Sequence, residues 1–378
     1  TRQACWLCVS VSLVFIWWWN WGVAETCAGN RCAQRLGLKQ HSGPRQAFAQ
    51  GNWVKWIGGA SNHDLAALED LAALAALAGA HCLDVAADAA VVSAVRRGIA
   101  WAQQHGLATT PWLMVSLSDG EDPHFRKAFF DPDRCPTDCP RPCAQVCPPL
   151  AIPGKGGVLE DRCYGCGRCL PVCPLGLIEE RSTVLAAEAV ISLLQQMQPD
   201  AIELHTHPGR APEFQRRLQQ IERSGLSLEL LSVSCPDGPG DVMAQHLWQV
   251  HQLLQAHPWP WLWQLDGRPM SGDIGAGTAQ AAVNLLKLRR AQLPPGALQL
   301  AGGTNHDSWR RLAREGLDQA VVGIAFGGSA RKLIQPLLQQ AEVRGEALRA
   351  CPDLWDEALA RLESCLLYTS DAADDEER

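Results

Sequence analysis

Short apolar runs alternate with longer stretches of helical periodicity along most of this chain. Candidate strands fall at 55–60, 82–86, 112–117, 201–205, 227–233, 261–265, 297–301 and 320–325. Ala/Leu-rich segments separate them. Over 64–78, Leu65, Leu68, Leu71 and Leu74 recur every three residues, which places them on one helical face, and 279–293 also reads as a helix. Eight repeats of strand then helix belong to the α/β class. The simplest closure is a (β/α)8 barrel, and a doubly wound open sheet is the alternative.

The pattern breaks over 118–181, after the third strand, where Pro, Gly and Cys replace Ala and Leu. This reads as an insertion in a βα loop, on the barrel face where active sites gather. Within it, the run CYGCGRCLPVCP sets Cys163, Cys166, Cys169 and Cys173 before Pro174. The spacing C-x2-C-x2-C-x3-C-P suits an iron-sulfur cluster. Two-residue gaps let a loop wrap three thiolates around the inorganic core, while the proline carries the fourth cysteine toward a neighbouring cluster. Gly165 and Gly167 permit backbone angles that bulkier residues resist. A zinc knuckle would instead want two CxxC pairs separated by a longer stretch.

Just upstream, CPTDCPRPCAQVCP carries Cys135, Cys139, Cys143 and Cys147 and again ends in Cys-Pro. Two runs imply two clusters. Crossed ligation, as in two-cluster ferredoxins, groups Cys135, Cys139 and Cys143 with Cys173, and Cys163, Cys166 and Cys169 with Cys147. Three-residue gaps would align the sulfurs on a helix, but Pro136, Pro140 and Pro142 oppose one and favour a loop. For this first set a 4Fe-4S cluster, a 3Fe-4S cluster, recruitment of Asp138 and a zinc site all stay open, since thiolates suit both metals.

Other polar groups fall on the same face. Gly302, Gly303, Thr304 and Asn305 follow the seventh strand, and Gly327, Gly328, Ser329, Ala330 and Arg331 follow the eighth. In barrels these two loops commonly cradle a phosphate, so a flavin mononucleotide or a phosphorylated metabolite is one expectation. The alternative is that the glycines simply end strands and start helices. His205 and His207, two residues apart after the fourth strand, read as metal ligands, a proton relay or hydrogen-bonded loop residues, with no third ligand evident. Asp266, Arg268 and Asp273 stand in the turn-rich segment 266–277, which suits a binding loop or an ordered surface loop. Trp259, Trp261 and Trp263 alternate, which on a strand reads as core or barrel filling.

At 378 residues and 47% apolar content the chain can bury a large core. The net charge is -7; five acids and one Arg after Cys365 account for -4, leaving -3 on the body. That excludes a general nucleic-acid-binding surface. Eight of sixteen cysteines sit in the two runs and four precede residue 33, with Cys82, Cys235, Cys351 and Cys365 scattered, which argues against a disulfide framework. Thiolate ligands and cluster assembly point to a reducing compartment, the cytoplasm. Both ends look foreign to the fold. The stretch from 365 to 378 resembles a translated sequencing adapter, and residues 1–47 read as translated upstream sequence. The apolar stretch 7–24 could be a signal or membrane helix, but Asn20 and crowded Trp residues fit one poorly, so no stable membrane anchor is expected. Cys5, Cys8, Cys27 and Cys32 are given no function. The expected domains are 48–117 and 182–364 as two parts of one barrel, with the ferredoxin-like insertion at 118–181 between them.

With WIGGASNHDL, CLDVAAD, both cysteine runs and DGRPMSGDIGAGT in place, the chain resembles the light-dependent period family of cyanobacterial iron-sulfur proteins, from about Trp53 to at least Gly328. The resemblance implies that the eight cysteines of the two runs are cluster ligands. It also implies a role in circadian clock input, reporting redox state to partners including a sensor histidine kinase. It offers no catalytic residue. The expected function is a redox sensor or electron-transfer regulator, poised by quinone or ferredoxin. The alternatives are a barrel oxidoreductase that uses the clusters to relay electrons for a flavin or phosphate ligand, and a zinc-stapled scaffold.

Overall fold

A computed structural model describes residues 42–182, 185–268 and 276–366. The expectations for 1–41, for the segment with Asp273 and for the tail beyond Leu366 lie outside the described residues. Among the described residues there are ten strands: β1 (Trp53–Gly59), β2 (Cys82–Ala86), β3 (Trp112–Ser118), β4 (Arg126–Phe129), β5 (Glu179–Ser182), β6 (Ala201–His205), β7 (Leu230–Pro236), β8 (Trp261–Asp266), β9 (Ala297–Ala301) and β10 (Gly323–Phe326). Eight of them close a parallel barrel in the order β1-β10-β9-β8-β7-β6-β3-β2. The open sheet is thereby set aside. Two strands start three residues later than expected. Before β7, Leu228 is buried in the outer core, and before β10 the residues Asp318–Ala320 form a short 3-10 turn.

The helices pack outside this cylinder. Asp64 accepts a hydrogen bond from the Ala67 amide at 3.2 Å and so starts the Leu65–Leu77 helix, which is largely apolar and is buried from Asp70 to Leu77. It lies so close to the Ala89–Gln104 helix that a Cβ on Gly98 would fall 2.2 Å from the Glu69 carbonyl oxygen. Trp259 and Trp263 belong to this outer core, and Trp261 packs against it; Trp263 donates to the Pro295 carbonyl at 3.1 Å. The final helix, Pro352–Leu366, runs through the expected boundary at 365, with Cys365 and Leu366 both buried. Among the described residues no helix is long and apolar enough to cross a membrane.

Inside the cylinder the strand period of two builds layers. Trp53, Cys82, Met114, Ala201, Leu230 and Leu262 form an apolar plug at the N-terminal end. Two residues further along the same strands come Lys55, Asp84, Ser116, Glu203, Ser232 and Gln264, all buried. Polar side chains thus fill the layer that branched aliphatic residues usually occupy.

The cysteine-rich block leaves after β3, as expected, and its β4 and β5 pair antiparallel from Arg126 opposite Ser182 to Phe129 opposite Glu179. It has a small core of its own, in which Phe130, Ala151, Ile152 and Ile178 pack around Cys143, Cys163 and Cys169.

Candidate functional site

The second cysteine run is a loop pressed against β4. Gly165 has φ 72, and a Cβ there would lie 1.9 Å from the Arg126 carbonyl oxygen, so only glycine fits. The Cys163 sulfur accepts from the Ala128 amide at 3.4 Å, and the Cys147 sulfur from the Ala151 amide at 3.2 Å. Cys147, Cys163, Cys166 and Cys169 line one small cavity together. A cysteine of the first run therefore joins three of the second. Their mutual influence shows in the thiols: burial, then neighbouring Cys166, Cys147 and Cys163, pushes Cys169 up to about 12, and burial pushes Cys147 up to about 11.

The remaining four also associate across the runs. Burial raises the Cys135 thiol, and Cys139 and Cys143 add to the effect; burial likewise raises Cys143, with Cys173 adding to it. Cys173 goes the other way. Burial pushes its thiol up, but the backbone amides of Leu177, Leu175, Gly176 and Ile178 outweigh that and hold it below the ordinary value. As the prolines require, the first run is mostly turn, with only the single-turn helix Pro142–Gln145. Two sets of four soft sulfur donors, partly shielded and supplied with N–H···S bonds, fit iron-sulfur clusters.

The barrel mouth adjoins the second set. Lys55 pairs with Glu203 and lies 3.4 Å from Asp84. Burial pushes the ammonium down, yet the two carboxylates outweigh it and hold Lys55 above its ordinary value. Burial would raise both acids. Lys55 and His205 hold Glu203 far below the carboxylate range, while Asp84 is pushed up to about 6. The Ser116 hydroxyl donates to Asp84 at 2.7 Å, and Gln264 donates to Glu203 at 2.8 Å. Asp266 accepts from Ser234 at 2.5 Å.

His205 and His207 meet a third group that sequence spacing did not reveal. Asp122 is buried, with His207 Nε2 2.7 Å from Oδ2, and with His124 Nδ1 at 2.8 Å and His205 Nδ1 at 3.9 Å from Oδ1. Asp122, His124 and His205 each bring a ligand atom within 4.8 Å of the others, a spacing a metal ion could use. Burial pushes His205 down, but Glu203 and Asp122 outweigh it and raise it to about 9.

A cavity of about 120 Å3 at this mouth is lined by Gly302, Gly303, Gly327, Gly328 and Ser329, all expected there, and also by Cys166. A larger cleft of about 1080 Å3 opens between the insertion and the Leu65–Leu77 and Gly328–Arg344 helices, with Cys147 on its wall. Lys55, Asp84, Asp122, His124 and Glu203 were not singled out from sequence. For three of them a signal existed: Lys55, Asp84 and Glu203 are lone charges within strands that a parallel barrel covers on both faces.

Residues 135–184 match the family model described as the LdpA Fe-S cluster-binding domain, and residues 193–367 match the light dependent period A C-terminal domain. The chain is 46% identical over 321 residues to Light dependent period A of Synechococcus elongatus, covering 84% of this chain and 90% of that protein. Among solved structures it is similar to the carboxyl transferase domain of Rhizobium etli pyruvate carboxylase, at 10% identity over 87% of this chain and 52% of that one, with TM-score 0.40. It is also similar to thiamine phosphate pyrophosphorylase from Pyrococcus furiosus, at 10% identity over 83% of this chain and 96% of that one, with TM-score 0.35.

Proposed function

Because the chain belongs to the light dependent period A family, we propose that it is an iron-sulfur redox sensor or electron-transfer regulator read by clock-input partners. The observation that carries this reading is the convergence of Cys147 with Cys163, Cys166 and Cys169 on one cavity. In it, Cys147, Cys163, Cys166 and Cys169 hold a 4Fe-4S cluster, and Cys135, Cys139, Cys143 and Cys173 hold a second cluster of three or four irons. When bound, such a group supplies a one-electron couple whose potential follows hydrogen bonding and solvent exposure. The chain sets both. Amides of Ala128, Ala151 and Leu177 donate to Cys163, Cys147 and Cys173, and the cleft beside Cys147 gives an electron carrier, quinone or ferredoxin, an approach. A sensor histidine kinase fits as the downstream reader, and this rests on family membership alone. The test is Cys163→Ser in anaerobically purified protein. Much of the visible absorbance and part of the iron should be lost; unchanged absorbance and iron would refute the ligand assignment.

A second reading is a barrel oxidoreductase in which a flavin or another phosphate-bearing ligand exchanges electrons with the cluster. It is favoured by one observation, that Cys166 and the two glycine loops share a cavity. A flavin-like fluorescence in the extracted cofactor would promote it. Reconstituted protein binding neither flavin nor phosphate ligand would end it.

A further inference from the structure

A barrel that served only as scaffold would fill its interior with branched apolar side chains. This one spends a full layer on Lys55, Asp84, Ser116, Glu203, Ser232 and Gln264 and opens onto a polar cavity. We propose that the barrel mouth binds a small phosphate ester, and that its occupancy is coupled to the redox state of the iron-sulfur cluster that Cys147, Cys163, Cys166 and Cys169 would hold. The coupling rests on the iron-sulfur reading above; the binding site does not.

Rim and floor differ in chemistry. Arg168, Arg268 and Arg331 line the cavity beside Gly302 and Gly303, consecutive glycines with φ of 64 and 90, in a loop whose backbone amides would be the partners of an oxyanion. A Cβ on Gly302 would lie 2.8 Å from the Arg268 carbonyl oxygen, so the loop is built around glycine. Arg331 donates through Nη1 to the Ile57 carbonyl at 2.9 Å, while its Nε is buried with no partner among the described residues. The Ile57 bond holds the guanidinium at the cavity wall, where its charge suits a phosphate oxyanion. Asp84, Glu203, Gln264 and Asp266 offer acceptors at the floor, which suits hydroxyls on the ligand's carbon skeleton. The volume of about 120 Å3 falls below the roughly 300–1,000 Å3 of pockets for drug-sized ligands. That favours an ester of a few carbons over a flavin.

Tyr164 and Arg331 connect the two sites. Tyr164 stands between Cys163 and Cys166 in sequence, and the Arg331 guanidinium lies 4.3 Å from its ring centroid. An electron passed by a one-electron carrier to the iron of a cluster held by these four thiolates would add negative charge beside the wall that Cys166 shares with the cavity. Reduction therefore weakens the hold on an anion. By reciprocity, a bound anion makes that cluster harder to reduce by the same free energy.

The experiment uses anaerobic full-length protein whose iron and sulfide are quantified first. Equilibrium dialysis with radiolabelled inorganic phosphate measures binding before and after photochemical reduction, and redox titration gives the midpoint potential with and without phosphate. We expect one saturable site per chain, displaced by glycerol 3-phosphate and not by glycerol. Arg331→Gln should weaken binding at least tenfold and Arg168→Gln should also weaken it, while the exposed Arg45→Gln should not. Reduction should weaken binding about tenfold, which corresponds to a potential lowered by about 59 mV on saturation. Iron-replete protein that binds no phosphate, or Arg331 and Arg168 variants that both bind like the parent, overturns the site. Equal affinity in both oxidation states overturns the coupling. Protein without iron overturns the coupling together with the cluster reading, and leaves the arginine variants to decide the site.

Discussion

Replacing Lys55 with Met tests whether the buried charges inside the barrel act as one unit. Lys55 Nζ lies 3.4 Å from Asp84 Oδ2 and closer still to Glu203, with all three side chains buried. At an effective dielectric of about 20, the Asp84 pair alone attracts by about 5 kcal/mol, much of which offsets the cost of taking the ammonium out of water. Without Lys55, Asp84 takes up a proton, since it is already raised to about 6, and Glu203 keeps its charge against His205 and Gln264. We expect Lys55→Met to cost about 3–5 kcal/mol at pH 7.5, the usual result of stranding one buried partner. The double variant Lys55→Met/Asp84→Asn should recover most of that loss, to within about 2 kcal/mol of the parent, because Glu203 keeps His205 and no buried carboxylate is left without a partner. Urea unfolding under anaerobic conditions, followed by far-ultraviolet dichroism, measures both. The single variant's deficit should also shrink at pH 5.5, where Asp84 protonates more readily. A single-variant cost under about 1 kcal/mol, or a double variant no more stable than the single, would refute the reasoning.

Two further outcomes follow from the same geometry. His205, raised from 6.5 to about 9, contributes stability that is fully present below pH 6.5 and lost as pH rises through 9, about 3 kcal/mol over that window; thermal unfolding between pH 6 and 9.5 should show the decline, and His205→Gln should flatten it. Gly165→Ala forces a left-handed residue and a clash with the Arg126 carbonyl, so iron content should fall toward that of the first set alone while barrel dichroism is retained.

Most of the scaffold was legible because parallel strands carry dense apolar runs and the intervening helices are rich in Ala and Leu. The cysteine runs were legible because ligand spacing is a local constraint. What escaped was the barrel's interior chemistry. A strand covered on both faces gives no polar alternation to show which positions point inward, so Lys55 in WVKWIGG and Glu203 in AIELH do not announce their pairing across 148 residues. The histidine cluster was hidden for a related reason. His205 and His207 meet Asp122 only because the chain between β3 and β4 folds back over the mouth. That Gly302, Gly303, Gly327, Gly328 and Ser329 stand at the barrel mouth could be read from their place after the last two strands, a topological argument that needs no side-chain detail.

The β4–β5 pairing brings the start and finish of the cysteine-rich excursion side by side, from Arg126 opposite Ser182 to Phe129 opposite Glu179. Such a seam makes the cysteine-rich unit portable. A tight turn joining Phe129 to Glu179 would let the cylinder close without it, and changes in its length or cargo can accumulate without bending a single stave. Protein engineers could therefore graft this cassette onto another barrel, or remove it, by cutting at one doorway.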